Sequence, residues 1–363
     1  DWLYRALVFL VVSCPCALVI SVPLGFFGGI GGASKAGVLV KGSNYLENLS
    51  KTDTIVFDKT GTLTHATPKV AEIVTFGGHE EEEMLRLAAC LEEHYPHSIA
   101  NAVVAEAKQR QLNHEERHSK VEYVVAHGIS SRVDDEKVVI GSYHFIFQDE
   151  NCVIPDGEEA KFAALPSEYS HLYLAISGKL SAVICIADPL RNEAKTVING
   201  LRSLGIPKVV MMTGDNKKTA DSVAKAVGIT EYYAEILPED KANFVKAEHE
   251  AGRKVIMIGD GINDSPALSE ADAGIAISDG AAIAREIADI TISADDLYQL
   301  LTLKEISNAL MKRINSNYKF IISFNFSLIV LGVLGVLQPA TSALLHNIST
   351  LGISLYSMTD LLK

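Results

Sequence analysis

The sequence is poor in cysteine and in positive charge, and each shortage excludes a class of protein. Its five cysteines, among 363 residues, are unevenly spaced and give no disulfide framework of the kind that small secreted domains use. Lysine and arginine total 32 against 45 acidic residues, so the net charge of -13 argues against a nucleic-acid partner. No internal repeat or low-complexity segment stands out along the chain.

Charged residues are also missing from two stretches near the ends of the chain. Residues 6–34 contain no charged side chain, and His346 is the only acidic or basic residue in 320–359. Because a membrane-spanning helix needs about 20 apolar residues, the first stretch predicts one span and the second predicts two, with a turn near Gln338. The first stretch lacks a clear cleavage pattern for a signal peptide and continues past Pro23, which favours a span.

Basic residues border the polar middle region on both sides. Lys35, Lys41 and Lys51 follow the first predicted span, and Lys312 and Arg313 precede the second. By the positive-inside rule, the region between them lies in the cytoplasm. We therefore expect an integral protein of the cell membrane whose middle region is cytoplasmic.

Short apolar runs recur through the middle region, and each leads into a turn with an acidic residue. The runs TIVFD, KVVMMTG and KVIMIGD are followed by helical stretches, which indicates parallel βαβ units in an α/β doubly wound sheet. Ligands of such sheets bind beyond the carboxyl ends of the strands. We therefore expect Asp58, Asp215 and Asp260 to meet at one edge of the sheet.

The interval from about His65 to Ser181 interrupts this series. It opens with a helical stretch over residues 80–111 and has strands of its own within residues 121–146 and 172–186. An insertion after the first strand of the sheet would form a separate α+β lobe.

The motif DKTGTLT, residues 58–64, directly follows the first strand. A carboxylate at a strand end, followed by threonine and glycine with exposed backbone N–H groups, can attack a phosphoryl group while the amides hold its oxygens. A single motif of this kind is more often a turn or a helix cap. Here three further elements accompany it: TGD at residues 213–215, Lys241 as a point charge, and the pair Asp260 and Asp264, which could bind one hard cation. The combination favours phosphoryl transfer.

The motifs DKTGTLT, TGD and GDGINDSPAL, in this order, resemble the phosphorylation-domain motifs of P-type ATPases, within the haloacid-dehalogenase-like superfamily. The resemblance implies an ATP-driven cycle through an aspartyl-phosphate at Asp58, with ATP and Mg2+ as cofactors. It also implies that Thr213 and Lys241 contact the phosphate. The residues predicted to act in phosphoryl transfer are Asp58, Lys59, Thr60, Thr213, Gly214, Asp215, Lys241 and Asn263, and the predicted magnesium ligands are Asp58, Thr60, Asp260 and Asp264.

A soluble phosphatase of the same superfamily is the main alternative. Those enzymes usually carry a second aspartate two residues after the nucleophile as general acid/base, whereas this chain has Thr60 at that position. Without a proton donor there, the acyl-phosphate should persist long enough to drive a conformational change, which suits a pump. A non-catalytic membrane metal sensor is a further alternative, and the assembled phosphoryl-transfer motifs argue against it.

The segment LEEHYPHSIANAVV lies in the inserted lobe and resembles the nucleotide-domain signature of heavy-metal-transporting P-type ATPases. Glu92 and His97 match its glutamate and histidine, which implies that His97 contacts the adenine and that Glu92 supports the site. The match departs from the family at Ser98, where proline is usual. The glycine-rich loop is reduced to Gly128, and Gly141 is followed by serine where asparagine is commoner. Both glycines are predicted nucleotide-binding residues.

The stretch VVSCPCALVIS, residues 11–21, places two cysteines around a proline in the first predicted span. Pro15 should kink or unwind the helix and turn Cys14, Cys16 and nearby carbonyls toward the interior of the helix bundle. A buried thiol often acts only as a small hydrophobe. Thiolates at membrane depth, however, select soft or borderline cations such as Zn(II), Cd(II) or Cu(I). The motif SCPCAL resembles the metal-translocating helix of type IB, or CPx-type, heavy-metal ATPases.

His346 and Asn325 lie in the last two predicted spans. An imidazole with two thiolates suits tetrahedral Zn(II). Zinc and copper members of the family usually carry other residues at these positions, so Zn(II) or a similar divalent ion is favoured, and Cu(I), Mn(II), Fe(II) and Co(II) stay open. His346 could alternatively only cap a helix. The predicted ligands of the transported cation are Cys14, Cys16, His346 and Asn325.

The resemblance covers nearly the whole chain and predicts ATP-driven export of a heavy-metal cation. The 363 residues contain no actuator domain with a TGE loop, and we expect that domain and earlier membrane spans elsewhere in the full-length protein. The predicted domains are a membrane helix with the CPC motif (1–34), a linker and the first part of the phosphorylation domain (35–65), the nucleotide-binding domain (66–183), the second part of the phosphorylation domain (184–297), a linker helix (298–318) and two membrane helices (319–363).

Overall fold

The structure is a computed structural model that divides into two compact units. One unit joins residues 1–52 to residues 289–363, and the other consists of residues 53–288. The described residues are 2–65, 67–94, 98–112, 122–124, 128–133, 136–167, 169–260, 264–277, 286–293 and 296–362.

The helices and strands of the described residues are numbered in chain order. The helices are α1 (Trp2–Val12), α2 (Cys16–Lys35), α3 (Ser43–Ser50), α4 (Glu81–Glu92), α5 (Ser98–Gln109), α6 (Glu159–Ala163), α7 (Ala194–Ser203), α8 (Lys217–Val227), α9 (Pro238–Glu250), α10 (Ser265–Glu270), α11 (Gln299–Val333) and α12 (Pro339–Ser357). The strands are β1 (Leu39–Val40), β2 (Thr54–Asp58), β3 (Lys69–Thr75), β4 (Glu122–Val124), β5 (Gly128–Val133), β6 (Glu136–Gly141), β7 (Ser170–Ile176), β8 (Lys179–Ala187), β9 (Lys208–Met212), β10 (Glu231–Tyr233), β11 (Val255–Gly259), β12 (Ala273–Ile277) and β13 (Ile290–Ile292).

The first helix stops where the sequence predicts a break. α1 ends at Val12 and α2 begins at Cys16, so the chain leaves the helical path in the residues up to Pro15. Proline has no amide hydrogen and cannot continue the ladder of α1. Its carbonyl starts α2 instead, accepting a hydrogen bond from the amide of Leu18 at 2.9 Å. The predicted interruption at the CPC motif is confirmed.

Two helices of the described residues, α2 and α11, are long and apolar enough to cross a membrane by length and composition. The third predicted span coincides with α12, which does not meet that criterion because serine, threonine and His346 interrupt its apolar residues. The span over α12 therefore stays a prediction.

The polar first half of α11 is anchored on α3. Lys304 is buried, and its Nζ donates hydrogen bonds to the carbonyl oxygens of Leu49 at 2.7 Å and Ser50 at 3.2 Å. The last carbonyls of a helix have no partner within it, so the ammonium caps α3 and compensates for its own burial.

The 53–288 unit contains the doubly wound α/β sheet that the apolar runs predict. Within it the strands are parallel and lie in the order β12–β11–β2–β9–β10. Every residue of β2, β11 and β12 is buried, as expected for strands of a parallel sheet. Asp58 at the end of β2 pairs with Met212 at the end of β9, so the loops with the predicted motifs leave the same edge.

The inserted lobe is built on an antiparallel sheet in the order β3–β8–β7–β6–β5–β4. Ile140 and Ile184 face the helices α4 and α5, whereas the neighbouring residues Val139 and Val183 join the core on the other face. This alternation follows from the two-residue period of a strand. β8 runs to Ala187, four residues beyond the predicted domain boundary at 183.

Candidate functional site

Asp58 ends the central strand β2 and is buried. The residues after it form a tight turn that closes on Thr64. The amide of Gly61 donates to Thr64 Oγ1 at 3.0 Å, and Thr64 Oγ1 donates to Asp188 Oδ2 at 2.6 Å. Because the turn is held on both sides, the Asp58 carboxyl has a fixed place at the sheet edge.

Lys241 places its ammonium between two carboxylates. It lies in the first turn of α9, which begins with Pro238, a residue favoured at the first helical position. Its Nζ donates to Asp58 Oδ1 and to Asp264 Oδ1, each at 2.6 Å, and all three side chains are buried. The structure thus brings together Lys241 and residues from two of the predicted motifs, which are far apart in sequence.

The close approach of Asp264 depends on Gly259, a residue that the sequence reasoning did not single out. A β-carbon built on Gly259 would lie 2.4 Å from Asp264 Oδ2, so a side chain there would displace the carboxylate. Gly259 ends β11, and Asp264 also hydrogen-bonds the backbone of Asp260 in the following loop. Its position directly before Asp260 in the motif GDGINDSPAL could have indicated that this glycine matters for the site.

Burial of this array disfavours the charge of its carboxylates. It raises the pKa of Asp58 from an ordinary value of 3.8 to about 6; the charge of Asp264 acts in the same direction, and Lys241 and Lys59 oppose both. Burial also raises the pKa of Asp264, against the charge of Lys241. Burial alone would lower the pKa of Lys241, but the two carboxylates raise it. One ammonium therefore neutralises two buried carboxylates incompletely, and the site favours a further cation.

The oxygen groups of this edge fit Mg2+ as that cation. Magnesium usually takes one or two carboxylates and fills its other positions with water and phosphate oxygens. Asp58, Asp264 and Asp260 offer carboxylates, and Thr60 is half-buried directly after the turn begins. No group of three His, Cys, Asp or Glu side chains that could hold an ion was found among the described residues. The ligand set stays a prediction, and Asn263 lies outside the described residues.

Lys59 contacts a second carboxylate beside the first array. Its Nζ lies 2.5 Å from Asp215 Oδ2 and donates to Ser170 Oγ at 2.8 Å. Burial alone would lower the pKa of Lys59, but the charge of Asp215 raises it. Burial alone would raise the pKa of Asp215, but Lys59 lowers it. Thr213 Oγ1 also donates to Asp215 Oδ2 at 3.0 Å, and Gly214 between them is exposed.

Three more residues of this site were missed by the sequence reasoning. Asp188 accepts the hydrogen bond from Thr64, and burial raises the pKa of Asp188. Arg191 donates from Nε to the carbonyl oxygen of Thr64 at 3.0 Å. The stretch ADPLR, residues 187–191, could have indicated Asp188 and Arg191, because there the chain returns to the sheet domain with an acidic residue at the end of a strand. No feature of the sequence indicated that Ser170, in the inserted lobe, belongs to this site.

Three of the four predicted nucleotide-binding residues belong to the described part of the inserted lobe. Gly128 begins β5 and pairs directly with Gly141 at the end of β6. A β-carbon on Gly128 would lie 2.5 Å from the carbonyl oxygen of Ile140, so the strand pair needs glycine there. Glu92 ends α4 and is buried, and His97 lies outside the described residues.

The orientation predicted for the two cysteines is wrong. Cys14 is exposed and Cys16 is half-buried, and a disulfide joins them, whereas the sequence predicts both thiols in the bundle interior. The break at Pro15 removes the helical period that would fix the direction of each side chain. The two Cα atoms lie 5.4 Å apart, within the range that a disulfide requires.

His346 and Asn325 are brought together by α12 and α11. His346 is buried, and its Nδ1 lies 3.2 Å from Asn325 Oδ1. Because an amide oxygen only accepts hydrogen bonds, Nδ1 is the donor, and in the neutral form of the ring Nε2 would hold the lone pair. Asn325 therefore orients the imidazole.

Comparisons with known proteins connect this geometry to a family. Residues 52–272 match the family model described as haloacid dehalogenase-like hydrolase. The chain is 39% identical over 340 residues to the cadmium, zinc and cobalt-transporting ATPase of Bacillus subtilis, which covers 93% of the chain and 47% of that relative. It is 36% identical over 351 residues to the manganese-exporting P-type ATPase of Mycobacterium tuberculosis, which covers 96% of the chain and 49% of the relative. The chain spans about half the length of these curated relatives.

A solved structure extends the similarity to the whole chain. The zinc-transporting PIB-type ATPase in its E2.Pi state superposes with a TM-score of 0.70 at 32% identity, covering 100% of this chain and 58% of that protein. The family model covers the sheet domain with its inserted lobe, and the relatives extend over the flanking helices. The chain therefore belongs to the haloacid dehalogenase-like hydrolase family, in the branch formed by the heavy-metal P-type ATPases.

Proposed function

We propose that this chain supplies the phosphorylation domain, the nucleotide-binding domain and part of the membrane region of an ATP-driven exporter of heavy-metal cations. The observation that carries the proposal is the buried array in which Lys241 bonds Asp58 and Asp264 at 2.6 Å. A buried carboxylate with raised pKa, fixed at the carboxyl edge of a doubly wound sheet, is placed to receive a group rather than to stabilise the fold.

The reaction at this edge is phosphoryl transfer to Asp58. Its free carboxylate oxygen attacks the γ-phosphorus of ATP, the bond from that phosphorus to the oxygen bridging to the β-phosphate breaks, and ADP leaves. Lys241 and Lys59 place positive charge beside the group being transferred, and Thr213 offers a hydroxyl to its oxygens. When bound, Mg2+ held by Asp58 and its neighbouring carboxylates supplies further neutralising charge to the phosphates.

The product should be long-lived compared with the intermediate of a phosphatase. Thr60 stands where a soluble phosphatase of the superfamily carries its general acid/base, so no carboxyl group at that position can activate water against the acyl-phosphate. The inserted lobe would hold the nucleotide through Glu92, His97, Gly128 and Gly141. We propose a cell-membrane location with residues 53–288 in the cytoplasm.

The cargo site would combine the cysteines with the imidazole of His346. Reduction of the Cys14–Cys16 disulfide by an external dithiol takes up two electrons and two protons and releases both thiols as ligands. Asn325 would act by orienting the ring of His346, whose Nε2 lone pair is available to a metal. Two thiolates and one imidazole favour Zn(II) or Cd(II). The named cargoes of the relatives include cadmium, zinc, cobalt, manganese and, for a probable exporter, copper, so Cu(I), Mn(II) and Co(II) remain alternatives. Fe(II) stays open with them as a similar divalent ion.

The proposal is tested with the full-length ATPase that contains this chain, reduced and incubated with γ-labelled ATP and one metal at a time. Acid-stable, hydroxylamine-labile label that depends on a metal is expected, and Asp58→Asn should abolish it. Asp156→Asn, at an exposed position of the inserted lobe, is the matched control and should keep it. Label that persists in Asp58→Asn would refute the phosphoryl acceptor. Steady phosphate release without any metal would favour the phosphatase alternative.

The cargo ligands are tested by equilibrium dialysis of the same protein with Zn(II). His346→Ala, Cys14→Ala and Cys16→Ala should each lose most of the tight binding. Asn325→Ala should weaken it by about 10- to 100-fold, because it removes only the partner that orients a ligand. Equal binding in wild type and His346→Ala would remove His346 from the site.

A further inference from the structure

Ser170 belongs to the inserted lobe, yet its side chain lies in the phosphoryl-transfer site of the sheet domain. It is the first residue of β7 and is buried. Its hydroxyl accepts a hydrogen bond from Lys59 Nζ at 2.8 Å and also hydrogen-bonds Asp215. Since the carboxylate can only accept, the hydroxyl donates to Asp215. Ser170 therefore completes a triangle with the Lys59–Asp215 ion pair.

The neighbours of Ser170 are also bonded to the sheet domain. The carbonyl oxygen of Tyr169 accepts from Thr219 Oγ1 at 2.8 Å, and Asn216 Nδ2 lies 3.1 Å from His171 Nδ1. Three consecutive residues of the lobe thus contact the sheet domain, and we call this set of contacts the lobe seam. Asn216 caps α8, directly after the TGD motif, by accepting a hydrogen bond from the amide of Thr219 at 3.0 Å.

The ring of His171 is fixed within the lobe seam. Its Nε2 lies 2.9 Å from the carbonyl oxygen of Pro166, which can only accept, so Nε2 carries the proton. In the neutral ring Nδ1 is then the acceptor, with Asn216 Nδ2 at 3.1 Å and the Tyr173 hydroxyl at 3.3 Å. Each polar group of the seam therefore has a defined direction of donation, and the seam sets one docked position of the lobe.

We propose, on the basis of the proposed function, that Ser170 is a positioning residue that holds Lys59 and Asp215 in their reactive arrangement only while the inserted lobe is docked on the sheet domain. A lobe that carries the nucleotide would then order this ion pair as it delivers the γ-phosphate. Undocking of the lobe would withdraw the hydroxyl of Ser170, and both Lys59 and Asp215 would lose this hydrogen-bond partner. The effect of Ser170 should accordingly be confined to transfer from ATP, because transfer from inorganic phosphate needs no docked lobe.

The test compares Ser170→Thr, which keeps the hydroxyl, with Ser170→Val, which has nearly the same shape without it, in the full-length ATPase. Aspartyl-phosphate formation is measured from ATP and, in reverse, from inorganic phosphate with Mg2+. We expect Val to slow formation from ATP by about tenfold or more, since a hydrogen bond to charged partners is lost. Its KM for ATP and its labelling from inorganic phosphate should change by less than about twofold, and Thr should restore the ATP rate.

The outcomes separate this inference from the proposed function. Three outcomes would overturn the role of Ser170 while the aspartyl-phosphate remained. These are wild-type rates in Ser170→Val, equal losses in Ser170→Val from ATP and from inorganic phosphate, and a Ser170→Thr variant as slow as Ser170→Val. Absence of label on Asp58 in the wild type by either route would overturn both. Ser170→Ala is a second variant in case valine disturbs folding, and it should show the same difference between the two routes.

Discussion

Replacing Asp58 by asparagine should stabilise the 53–288 unit at neutral pH, although it removes the proposed phosphoryl acceptor. The folded protein holds the pKa of this carboxyl at about 6, against an ordinary value of 3.8, chiefly because the group is buried and secondly because Asp264 is close. A raised pKa means that the folded state favours the protonated form. This contribution is fully present below pH 3.8 and is lost as the pH rises through about 6.

The difference between the two pKa values corresponds to about 3 kcal/mol of destabilisation above pH 6. Asparagine has the shape of the protonated acid, carries no charge and can still accept from Lys241 through its amide oxygen. It also relieves the repulsion on Asp264. We therefore expect Asp58→Asn to unfold at a higher urea concentration at pH 7.5, with a gain of about 1–3 kcal/mol.

The assay is urea denaturation of residues 53–288 at several pH values without divalent metal. The advantage of the variant should shrink as the pH falls and vanish near pH 3.8. Asp156→Asn, an exposed substitution of the same kind, should change stability by less than about 0.5 kcal/mol at every pH. A variant less stable than wild type at pH 7.5, or a gain independent of pH, would refute the view that burial of this charge opposes folding.

Two further predictions concern the framework around the site. Glu248→Gln should lower the free energy of unfolding by about 2–3 kcal/mol at pH 7. Hydrogen bonds, most of all the one from Arg253 and then those from Thr54 and Lys208, lower the pKa of Glu248 from 4.5 to about 2. That stability is present above pH 4.5 and is lost as the pH falls through about 2, so urea curves of the two proteins should converge in acid. Gly128→Ala should lower the thermal stability of the inserted lobe by about 2 kcal/mol or more, because its β-carbon would lie 2.5 Å from the carbonyl oxygen of Ile140. Ser130→Ala, in the same strand, should have little effect, and an unchanged melting temperature in Gly128→Ala would contradict the close contact.

The sequence predicts the sheet edge well because its signals are local. Each apolar run is one strand long, and the carboxyl ends of parallel strands must share an edge, so topology places Asp58 and the loop before Asp264 at the same edge. The close approach of the two carboxylates also needs Gly259. Lys241 was predicted as a point charge, but its bonds to both carboxylates depend on where α9 begins relative to the sheet. Only the packed structure sets that distance.

Two features could not be predicted because they depend on how separate elements pack. Ser170 lies 111 residues from Lys59, and its place in the site follows from the docking of the whole inserted lobe. The break at Pro15 was predicted correctly from the chemistry of proline, but the direction predicted for Cys14 and Cys16 was wrong. An unwound segment has no period from which a direction can be read.

The surplus of negative charge connects stability with chemistry at this edge. In the proposed reaction Asp58 must be ionised to attack phosphorus, yet the fold opposes ionisation, first by burying the carboxyl and secondly by placing Asp264 near it, while Lys241 favours ionisation. With a pKa of about 6 the carboxyl is nevertheless mostly ionised at neutral pH, and in the proposed reaction positive charge that arrives with the nucleotide would balance it. Lys59 lies 2.5 Å from Asp215, so its charge is already partly balanced there. Because the hydroxyl of Ser170 contacts both members of that pair, the proposed docking of the inserted lobe would set how firmly Lys59 is held. If the proposed function holds, nucleotide arrival, charge balance and lobe docking would act on the same few side chains and would link ATP binding to the activation of Asp58.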